Sequence, residues 1–181
     1  MKYFLAIIGG GPAGYTAAEI ASKAGKDVVI FEQTALGGTC LNVGCIPTKT
    51  LLYSAKQYYN ATHADKYGVE AEGVSFDYAK IVQRKMKVVR KLVAGIKQKL
   101  NNEHCTVIMG AASVVSRTDE NVVIACGEEQ YEAENLLICT GSNNFVPPIP
   151  GVKDNPAIWD STMALDSKEL PQSMIIVGGR S

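Results

Sequence analysis

Two cysteines separated by four residues are the feature of this sequence with the clearest chemical potential. Cys40 and Cys45 lie within the glycine-rich stretch 37–49. A closely spaced dithiol suits two-electron chemistry, because one thiolate attacks a disulfide and the other resolves the mixed disulfide. A pair of inert, buried cysteines is the alternative that the spacing leaves open. That structural role is the one we assign to the three isolated cysteines, Cys105, Cys126 and Cys139.

The spacing of the pair argues against a metal site. Zinc sites commonly use two cysteines with only two residues between them, together with a second pair of Cys or His ligands. Here four residues intervene, and the two histidines, His63 and His104, are each isolated in the sequence. We therefore expect no metal ligands in this chain.

A disulfide between the two cysteines would be strained. Positions five apart lie on different faces of a helix, so the bond requires an interrupted helix, and Gly44 with Pro47 supplies the interruption. Strain makes a disulfide easier to reduce. Lys49, four residues after Cys45, and a helix N-terminus would each lower the pKa of a neighbouring thiol.

A second motif, at residues 9–14, has the form of a phosphate-binding turn. It reads Gly-Gly-Gly-Pro-Ala-Gly and follows an apolar run that predicts a buried strand. Gly9 permits a tight turn, Gly11 lets the backbone approach a pyrophosphate, and Gly14 lets the next helix pack closely on the strand. Pro12 suits the first turn of that helix, whose free N–H groups favour an anion.

Glu32 completes this pattern at the end of the next predicted strand. It follows Gly14 by 18 residues, where a carboxylate can accept hydrogen bonds from a ribose diol. An ordinary glycine turn with an incidental glutamate is the alternative. The motif alone does not distinguish FAD from NAD.

The elements around these motifs predict an α/β fold with a parallel sheet, inserted long helices and a small antiparallel β-meander. We expect parallel strands at 4–8, 27–32 and 136–139, helices at 13–24 and 78–102, and a loop at 34–49 leading into a helix that ends near 62. Asp77 is the predicted N-cap of the long helix. The meander is expected at 106–109, 113–116, 121–125 and 130–133, and a further strand at 174–177.

Composition and charge exclude some classes of protein. The 181 residues carry 18 basic and 18 acidic side chains, and 46% are apolar, so bulk charge predicts neither nucleic acid nor membrane as a partner. The longest apolar stretches fall short of a membrane span, and we expect a soluble, cytoplasmic protein. Eight basic residues crowd the helix predicted at 78–102; we interpret them as a solvated face, with nucleic-acid binding as the alternative.

The redox block 37–49 and the glycine turn 9–14 together resemble the pyridine nucleotide–disulfide oxidoreductase family over nearly the whole chain. The order Cys-Leu-Asn-Val-Gly-Cys-Ile-Pro is more similar to the family members that oxidise a dihydrolipoyl group than to the glutathione- and mercuric-reducing members, which more often have Val in place of Leu41 and Ile46. The resemblance implies a Rossmann-like domain that binds FAD.

The resemblance also implies a role for each matching residue. Cys40 is the interchange thiol that attacks the substrate, Cys45 is the thiol beside the flavin ring, Lys49 lies near the flavin N5, and Glu32 binds the adenosine ribose. Cys139 replaces the alanine that usually precedes the second flavin motif. The remaining expected FAD contacts are Gly9, Gly11, Pro12, Ala13, Gly14, Gly38, Thr39, Gly44, Ala112, Thr140, Gly141 and Ser142.

By the same resemblance we expect a fragment of a longer enzyme. Residues 1–146 would be the FAD-binding domain without its C-terminal returning segment, 147–171 a connector, and 172–181 the first strand of a truncated NAD-binding domain, in which Arg180 stands where a second glycine is usual. The dimerisation domain, with its His-Glu base, would lie outside the sequence, so the fragment is expected to be inactive alone.

The full-length parent is expected to be a homodimer that uses FAD and NAD⁺. Its expected partner is the dihydrolipoyl group of a 2-oxoacid dehydrogenase or glycine cleavage complex. Two alternatives remain open at this point: a related glutathione- or mercuric-reductase-type enzyme, and a flavin-binding redox module without turnover.

Overall fold

The computed structural model describes residues 2–178. The six strands are β1 (Lys2–Ile8), β2 (Val28–Glu32), β3 (Cys105–Met109), β4 (Ala112–Arg117), β5 (Val122–Cys126) and β6 (Glu129–Ile138). The helices are α1 (Pro12–Lys23), α2 (Gly38–Val43), α3 (Cys45–Thr62), α4 (Tyr78–Leu100) and α5 (Ser161–Asp166), with a short 3₁₀ turn at Asp65–Tyr67. The predicted α/β fold with long inserted helices and antiparallel strands is confirmed.

All six strands belong to one sheet in the order β3-β2-β1-β6-β5-β4. Strands β3, β2, β1 and the second half of β6 pair in parallel. Strands β4 and β5 and the first half of β6 form the antiparallel part. The long strand β6 joins the two parts, because Glu132 and Ala133 pair with both β1 and β5.

The structure corrects two details of the predicted strands. The strand predicted at 106–109 is not part of the meander, since β3 pairs in parallel with the whole of β2. All five residues of β2 are buried, so both of its edges need a neighbouring strand. The segments 130–133 and 136–139 were expected to be separate strands, but β6 runs through both.

The parallel strands lie between two apolar layers. Ile7, Val28 and Ile30 face the helices and pack in one cluster with residues of α1, α2 and α4. The intervening residues Val29 and Phe31 face the other way and pack against the antiparallel strands. Because both faces are covered, these strands are apolar at nearly every position.

The stretch 34–49 is more helical than expected. It contains α2 and the first turn of α3, which meet at Gly44. Pro47 is the third residue of α3, a position where a missing N–H leaves no intrahelical bond unmade. Asp77 caps α4 as predicted, since its side chain accepts a hydrogen bond from the Lys80 N–H at 3.1 Å.

Helix α5 anchors the connector to the domain. The buried Lys85 of α4 donates a hydrogen bond to the Leu165 carbonyl at 2.6 Å. At the other end, Asn144 donates to Asp160, the N-cap residue of α5, at 2.9 Å. The connector is therefore held to α4 and to the segment that follows β6.

The segment predicted as a strand at 174–177 has no strand structure, and Ile175 is 91% exposed. An apolar strand is stable only between neighbours that satisfy its backbone, and none of the strands in residues 2–178 pairs with it. The expectations about Gly179, Arg180 and Ser181 lie outside the described residues, and the division at 146 and 171 stays a prediction. No described helix is long and apolar enough to cross a membrane.

Candidate functional site

The residues singled out from the sequence meet at the edge of the sheet where the parallel strands have their carboxyl ends. Gly9 follows β1, Glu32 ends β2, and Thr140 comes two residues after β6. The Gly110 N–H donates to the Glu32 carbonyl at 2.8 Å, which places the start of β4 at the same edge. In open α/β sheets, ligands bind outside this edge.

The glycine turn requires glycine at two positions because of backbone contacts. A Cβ on Gly9 would lie 2.2 Å from the Cys139 carbonyl oxygen, and Gly9 has φ +109°. A Cβ on Gly14 would lie 1.8 Å from the Gly9 carbonyl oxygen. The turn is thus packed against the residue that precedes Thr140, so the two expected flavin motifs are neighbours.

The N-terminus of α1 is open to an anion. Gly11 is its N-cap residue, no side chain caps it, Pro12 begins it, and its first turn contains no acidic residue. Four N–H groups at a helix start have no partner within the helix and carry partial positive charge. Gly38, at the start of α2, packs so closely here that its Cβ would lie 2.7 Å from the Gly11 Cα.

Glu32 is held by the protein through both carboxylate oxygens. Its Oε2 accepts the Gly10 N–H at 2.7 Å, and its Oε1 accepts the Thr34 N–H at 2.8 Å and the Thr34 hydroxyl at 2.9 Å. The residue is 7% exposed. The carboxylate therefore ties the glycine turn to the end of β2, whatever else it binds.

The ionisation of Glu32 follows from these contacts. Burial alone raises the pKa of its carboxyl, but hydrogen bonds from the Thr34 and Gly10 N–H groups and from the Thr34 hydroxyl outweigh burial. The net result is a pKa below the ordinary value. The group is thus a carboxylate at neutral pH, with acceptor capacity left for a diol.

The two cysteines lie on either side of the helix break. Cys40 is half-buried within α2 and Cys45 is the exposed first residue of α3. A Cβ on Gly44 would lie 2.8 Å from the Thr39 carbonyl oxygen and 3.3 Å from the Cys40 Cα. Glycine at position 44 therefore permits the close approach that brings α3 back onto the Cys40 turn.

The contact between the two thiols dominates the acidity of Cys40. Its pKa is raised first by a hydrogen bond with the Cys45 side chain and then by burial. The Cys45 N–H at the start of α3 and the positive charge of Lys49 act in the opposite direction but are weaker. Lys49 and the helix N-terminus thus act on Cys40 in the expected direction, and the Cys45 side chain and burial outweigh them.

The structure also places the remaining residues that the sequence predicts in the site. Lys49 is exposed on α3, one turn after Cys45. Ala112 begins β4, two residues after Gly110, whose N–H donates to the Glu32 carbonyl. The segment Thr140–Gly141–Ser142 is exposed. Within residues 2–178, no group of three or more His, Cys, Asp or Glu side chains could hold a metal ion.

Two residues of the site were missed in the sequence. Thr34 supplies two of the three hydrogen bonds to Glu32, and a hydroxyl residue two positions after the key carboxylate was the available signal. Asn42 donates to the carbonyls of Leu36 at 3.2 Å and Gly38 at 2.9 Å. It stabilises the turn before α2, and an asparagine inside a short helix was the clue to such a local bond.

Comparison with known proteins places this arrangement in a family. The family model described as pyridine nucleotide-disulphide oxidoreductase matches residues 3–179. A dihydrolipoyl dehydrogenase of Bacillus subtilis is 43% identical over 177 residues, which are 97% of this chain and 38% of that protein. A dihydrolipoyl dehydrogenase of Mycoplasma pneumoniae is 40% identical over 183 residues, covering 99% of this chain and 39% of that protein.

Solved structures agree with this assignment. The HOCl-induced flavoprotein disulfide reductase RclA of Escherichia coli superposes with a TM-score of 0.75 at 36% identity, over 93% of this chain and 35% of that one. LpdA of Mycobacterium tuberculosis superposes with a TM-score of 0.81 at 23% identity, over 93% of this chain and 38% of that one, which shows the fold alone.

The chain spans less than two fifths of the length of each of these relatives. The expected Rossmann-like FAD-binding fold of disulfide reductases is confirmed, and relatives named as flavoproteins imply a flavin cofactor. With the match extending over residues 3–179, the chain belongs to the pyridine nucleotide–disulfide oxidoreductase family.

Proposed function

We propose that this chain is the FAD-binding, dithiol-bearing part of an oxidoreductase that oxidises dihydrolipoamide with NAD⁺. The observation that carries the proposal is the close approach of α2 and α3 at Gly44, which brings the residue before Cys45 onto the Cys40 backbone, on a helix pair whose first residue, Gly38, packs against the phosphate-binding turn. A redox pair and a dinucleotide site are thus built on adjoining backbone.

The residues at the sheet edge fit a flavin dinucleotide. The close contacts of Gly9, Gly14 and Gly38 leave a cradle of bare backbone, and the N–H groups of α1 suit a pyrophosphate. The ionised Glu32 suits the ribose diol. In the proposed arrangement Pro12, Ala13 and Thr39 line the pyrophosphate, Ala112 meets the adenine, and the backbone of Thr140–Gly141–Ser142 approaches the rest of the cofactor.

The proposed chemistry on this chain is a thiol–disulfide exchange. In the oxidised form, a substrate thiolate attacks the Cys40 sulfur and the Cys45 sulfur leaves as a thiolate. The second substrate thiol then displaces Cys40, so a cyclic substrate disulfide forms, the protein holds two thiols, and two electrons and two protons have moved. When bound in the cradle at the sheet edge, FAD would supply the acceptor for these electrons, with NAD⁺ as the proposed final oxidant. Lys49, one turn from Cys45, offers a positive charge for the Cys45 thiolate.

The substrate and partners of the whole protein rest on its relatives. Proteins named dihydrolipoyl dehydrogenase match 96–99% of this chain, which favours a dihydrolipoyl group over glutathione or mercuric ion. The full-length protein would then serve a 2-oxoacid dehydrogenase or glycine cleavage complex, as a homodimer in the cytoplasm. A non-catalytic flavin-binding module is the second candidate, and the exposed Cys45 thiol argues against it.

Thiol counting with a flavin titration tests the proposal on the chain itself. We expect mild oxidation to remove two of the five thiols and reduction to restore them. Replacing both Cys40 and Cys45 by Ser should leave three thiols that no longer change. When the chain is titrated into a fixed amount of FAD, the flavin fluorescence should be quenched until it reaches a plateau.

The matched control is the Cys105→Ser and Cys126→Ser double variant, which should still lose two thiols on oxidation. If the Cys40→Ser and Cys45→Ser double variant still loses two thiols, the redox pair is elsewhere. In the full-length protein, the rate of NAD⁺ reduction with dihydrolipoamide should far exceed the rate of NADPH oxidation with glutathione disulfide or mercuric ion. The reverse order would assign the enzyme to another branch of the family.

A further inference from the structure

A shallow groove lies between α4 and the helix that carries Cys40. Its volume is about 250 Å³. Asn42, two residues after Cys40, forms one wall. Cys40 and Val93 pack against the same apolar cluster. The residues that line the groove are Asn42, Val89, Arg90, Val93, Ala94 and Lys97.

The groove has an apolar floor and a basic rim. Val89, Val93 and Ala94 supply the apolar lining, and Arg90 and Lys97, seven residues apart and therefore on one face of α4, supply the charged lining. Within residues 2–178, neither cation lies within 4.0 Å of a carboxylate, whereas Lys80, Lys85 and Lys99 of the same helix are all paired.

All charged residues of α4 are basic. The helix contains eight of the 18 basic residues of the chain and no acidic residue. The acidic residues belong to other parts of the chain, and three of them, Asp77, Asp166 and Glu19, pair with lysines of α4. Since, among residues 2–178, three carboxylates pair with only three of the eight basic residues of α4, a chain of zero net charge still presents local positive charge on this helix.

We propose that Arg90 and Lys97 form a docking rim for an acidic protein domain that delivers its dithiol arm to Cys40. The inference rests on the proposed function and deepens it, since it assigns the surface of this chain that the carrier of the dithiol contacts. The apolar floor suits the alkyl part of the arm, and the two cations meet carboxylates on the carrier around the base of the arm.

The physical effect of such a rim is on encounter rather than on chemistry. Complementary charge raises association rates by about 10- to 1,000-fold at low salt, and the effect decreases steeply as salt is added. A free, uncharged dihydrolipoamide has no carboxylates and gains nothing from steering. The ratio of kcat/KM for the carrier-bound arm to kcat/KM for free dihydrolipoamide therefore isolates the contribution of the rim.

The experiment uses the full-length enzyme with the isolated, reduced lipoyl domain of a 2-oxoacid dehydrogenase complex and with free dihydrolipoamide. We expect that Arg90→Glu with Lys97→Glu lowers the kcat/KM ratio about tenfold or more at low salt, the low end of the steering range. The kcat/KM ratio of the unaltered enzyme should fall as salt is added, and the ratio of the charge-reversal variant should fall less. Arg90→Lys with Lys97→Arg, which keeps the charge, should retain most of the ratio.

The matched control makes the same change in net charge at two positions that do not line the groove, by Lys26→Glu with Lys153→Glu, and should leave the ratio unchanged. Arg90→Gln with Lys97→Gln replaces the reversal variant if that variant folds poorly, with a smaller decrease expected.

An unchanged ratio in a folded variant overturns the docking rim while the proposed function stands. Failure of the enzyme to oxidise either substrate overturns both. Displacement of the lipoyl domain by DNA at physiological salt would assign the face to nucleic acid and overturn the proposal.

Discussion

Cys40 and Cys45 form a pair in which each thiol determines how the other behaves. The hydrogen bond with the Cys45 side chain is the largest cause of the raised pKa of Cys40, and burial is the second. Once one thiol has ionised, its negative charge opposes ionisation of the other. The reduced pair therefore keeps one of its two protons to a higher pH than two independent thiols would. This behaviour fits the proposed alternation between a dithiol and a disulfide.

Replacing Cys45 by Ala should lower the pKa of Cys40, because the neighbouring thiol and part of the burial are removed together. The thiolate is the nucleophile, so Cys40 should then react faster with iodoacetamide near about pH 8 than it does in the unaltered, reduced chain. Peptide mass spectrometry over a time course measures the rate. The control is Cys139→Ala, which should leave the rate at Cys40 unchanged; a slower reaction of Cys40 in the Cys45→Ala variant would contradict the assigned cause.

Glu32 stabilises the fold in a pH-dependent way. Its hydrogen bonds hold the pKa of the carboxyl below the ordinary value of 4.5, so the carboxylate contributes stability above that pH. The contribution disappears as the pH falls through the lower pKa of the folded state. Glu32→Gln turns one N–H donor of the side chain toward the N–H of Gly10 or of Thr34, and should lower the free energy of unfolding by about 1–3 kcal/mol at neutral pH.

Urea denaturation at several pH values measures this effect. The difference in the free energy of unfolding between the unaltered chain and the Glu32→Gln variant should shrink as the pH falls below 4.5. Glu128→Gln, at an exposed position, is the matched control and should be close to neutral at every pH. A difference for Glu32→Gln that grows toward acid pH would show that the carboxyl is neutral in the folded protein.

At the scale of elements, the break between α2 and α3 is the feature on which the redox pair depends. A single helix over residues 38–62 would place Cys40 and Cys45 on different faces. Gly44 prevents that helix by permitting contact with the Thr39 carbonyl oxygen. Pro47 prevents it too, because it has no N–H to donate to the Val43 carbonyl four residues before it.

Gly44→Ala should therefore disturb the junction. The added Cβ would lie 2.8 Å from the Thr39 carbonyl oxygen, and overpacking against backbone costs about 1–3 kcal/mol. We expect lower stability in urea and slower loss of the two thiols on oxidation. Gly95→Ala is the matched control, since no heavy atom lies within 4 Å of the added Cβ.

The control should gain stability rather than lose it, by about 1 kcal/mol, because alanine is the better helix former inside α4. Its thiols should oxidise at the same rate as in the unaltered chain. If Gly44→Ala proved as harmless as Gly95→Ala, the close approach at the break would not be what holds the two cysteines together.

At the scale of the whole molecule, several large apolar side chains are exposed to solvent. The exposed fraction is 91% for Ile175, 78% for Ile176 and 85% for Val177, and Ile138 at the end of β6 is 65% exposed. Exposed apolar side chains in this number suit contact with further protein. The relatives that match this chain are more than twice its length, which is consistent with such a cover in the full-length protein.

The 181-residue chain alone should show no dihydrolipoamide-dependent reduction of NAD⁺, even with excess FAD. By resemblance to the family, the base that accepts the substrate proton is supplied from outside these residues, and such a base contributes about 10²–10⁴ in rate. The assay compares the chain with the full-length protein at equal flavin content. Turnover within about a hundredfold of the full-length protein would place the base inside this chain and overturn the expectation.

Local patterns in the sequence determined the elements around the site. The glycine turn at 9–14 lies between β1 and α1, and Asp77 caps α4, both as predicted from residues a few positions apart. The redox role of Cys40 and Cys45 stays a prediction. The sequence prediction failed where contacts are distant: β3 was placed in the antiparallel meander, whereas it pairs in parallel with β2.

Tertiary structure alone decided which distant residues meet. Packing placed Gly38 against Gly11, and the Gly10 N–H against Glu32, 22 residues away. It also brought Asn42 and Arg90 into the lining of one groove, and set Lys85 on the end of α5, 80 residues further along the chain. These contacts follow from how the sheet and helices share two buried layers, and no local run of residues specifies them, because a side chain's partner across a core depends on the whole fold.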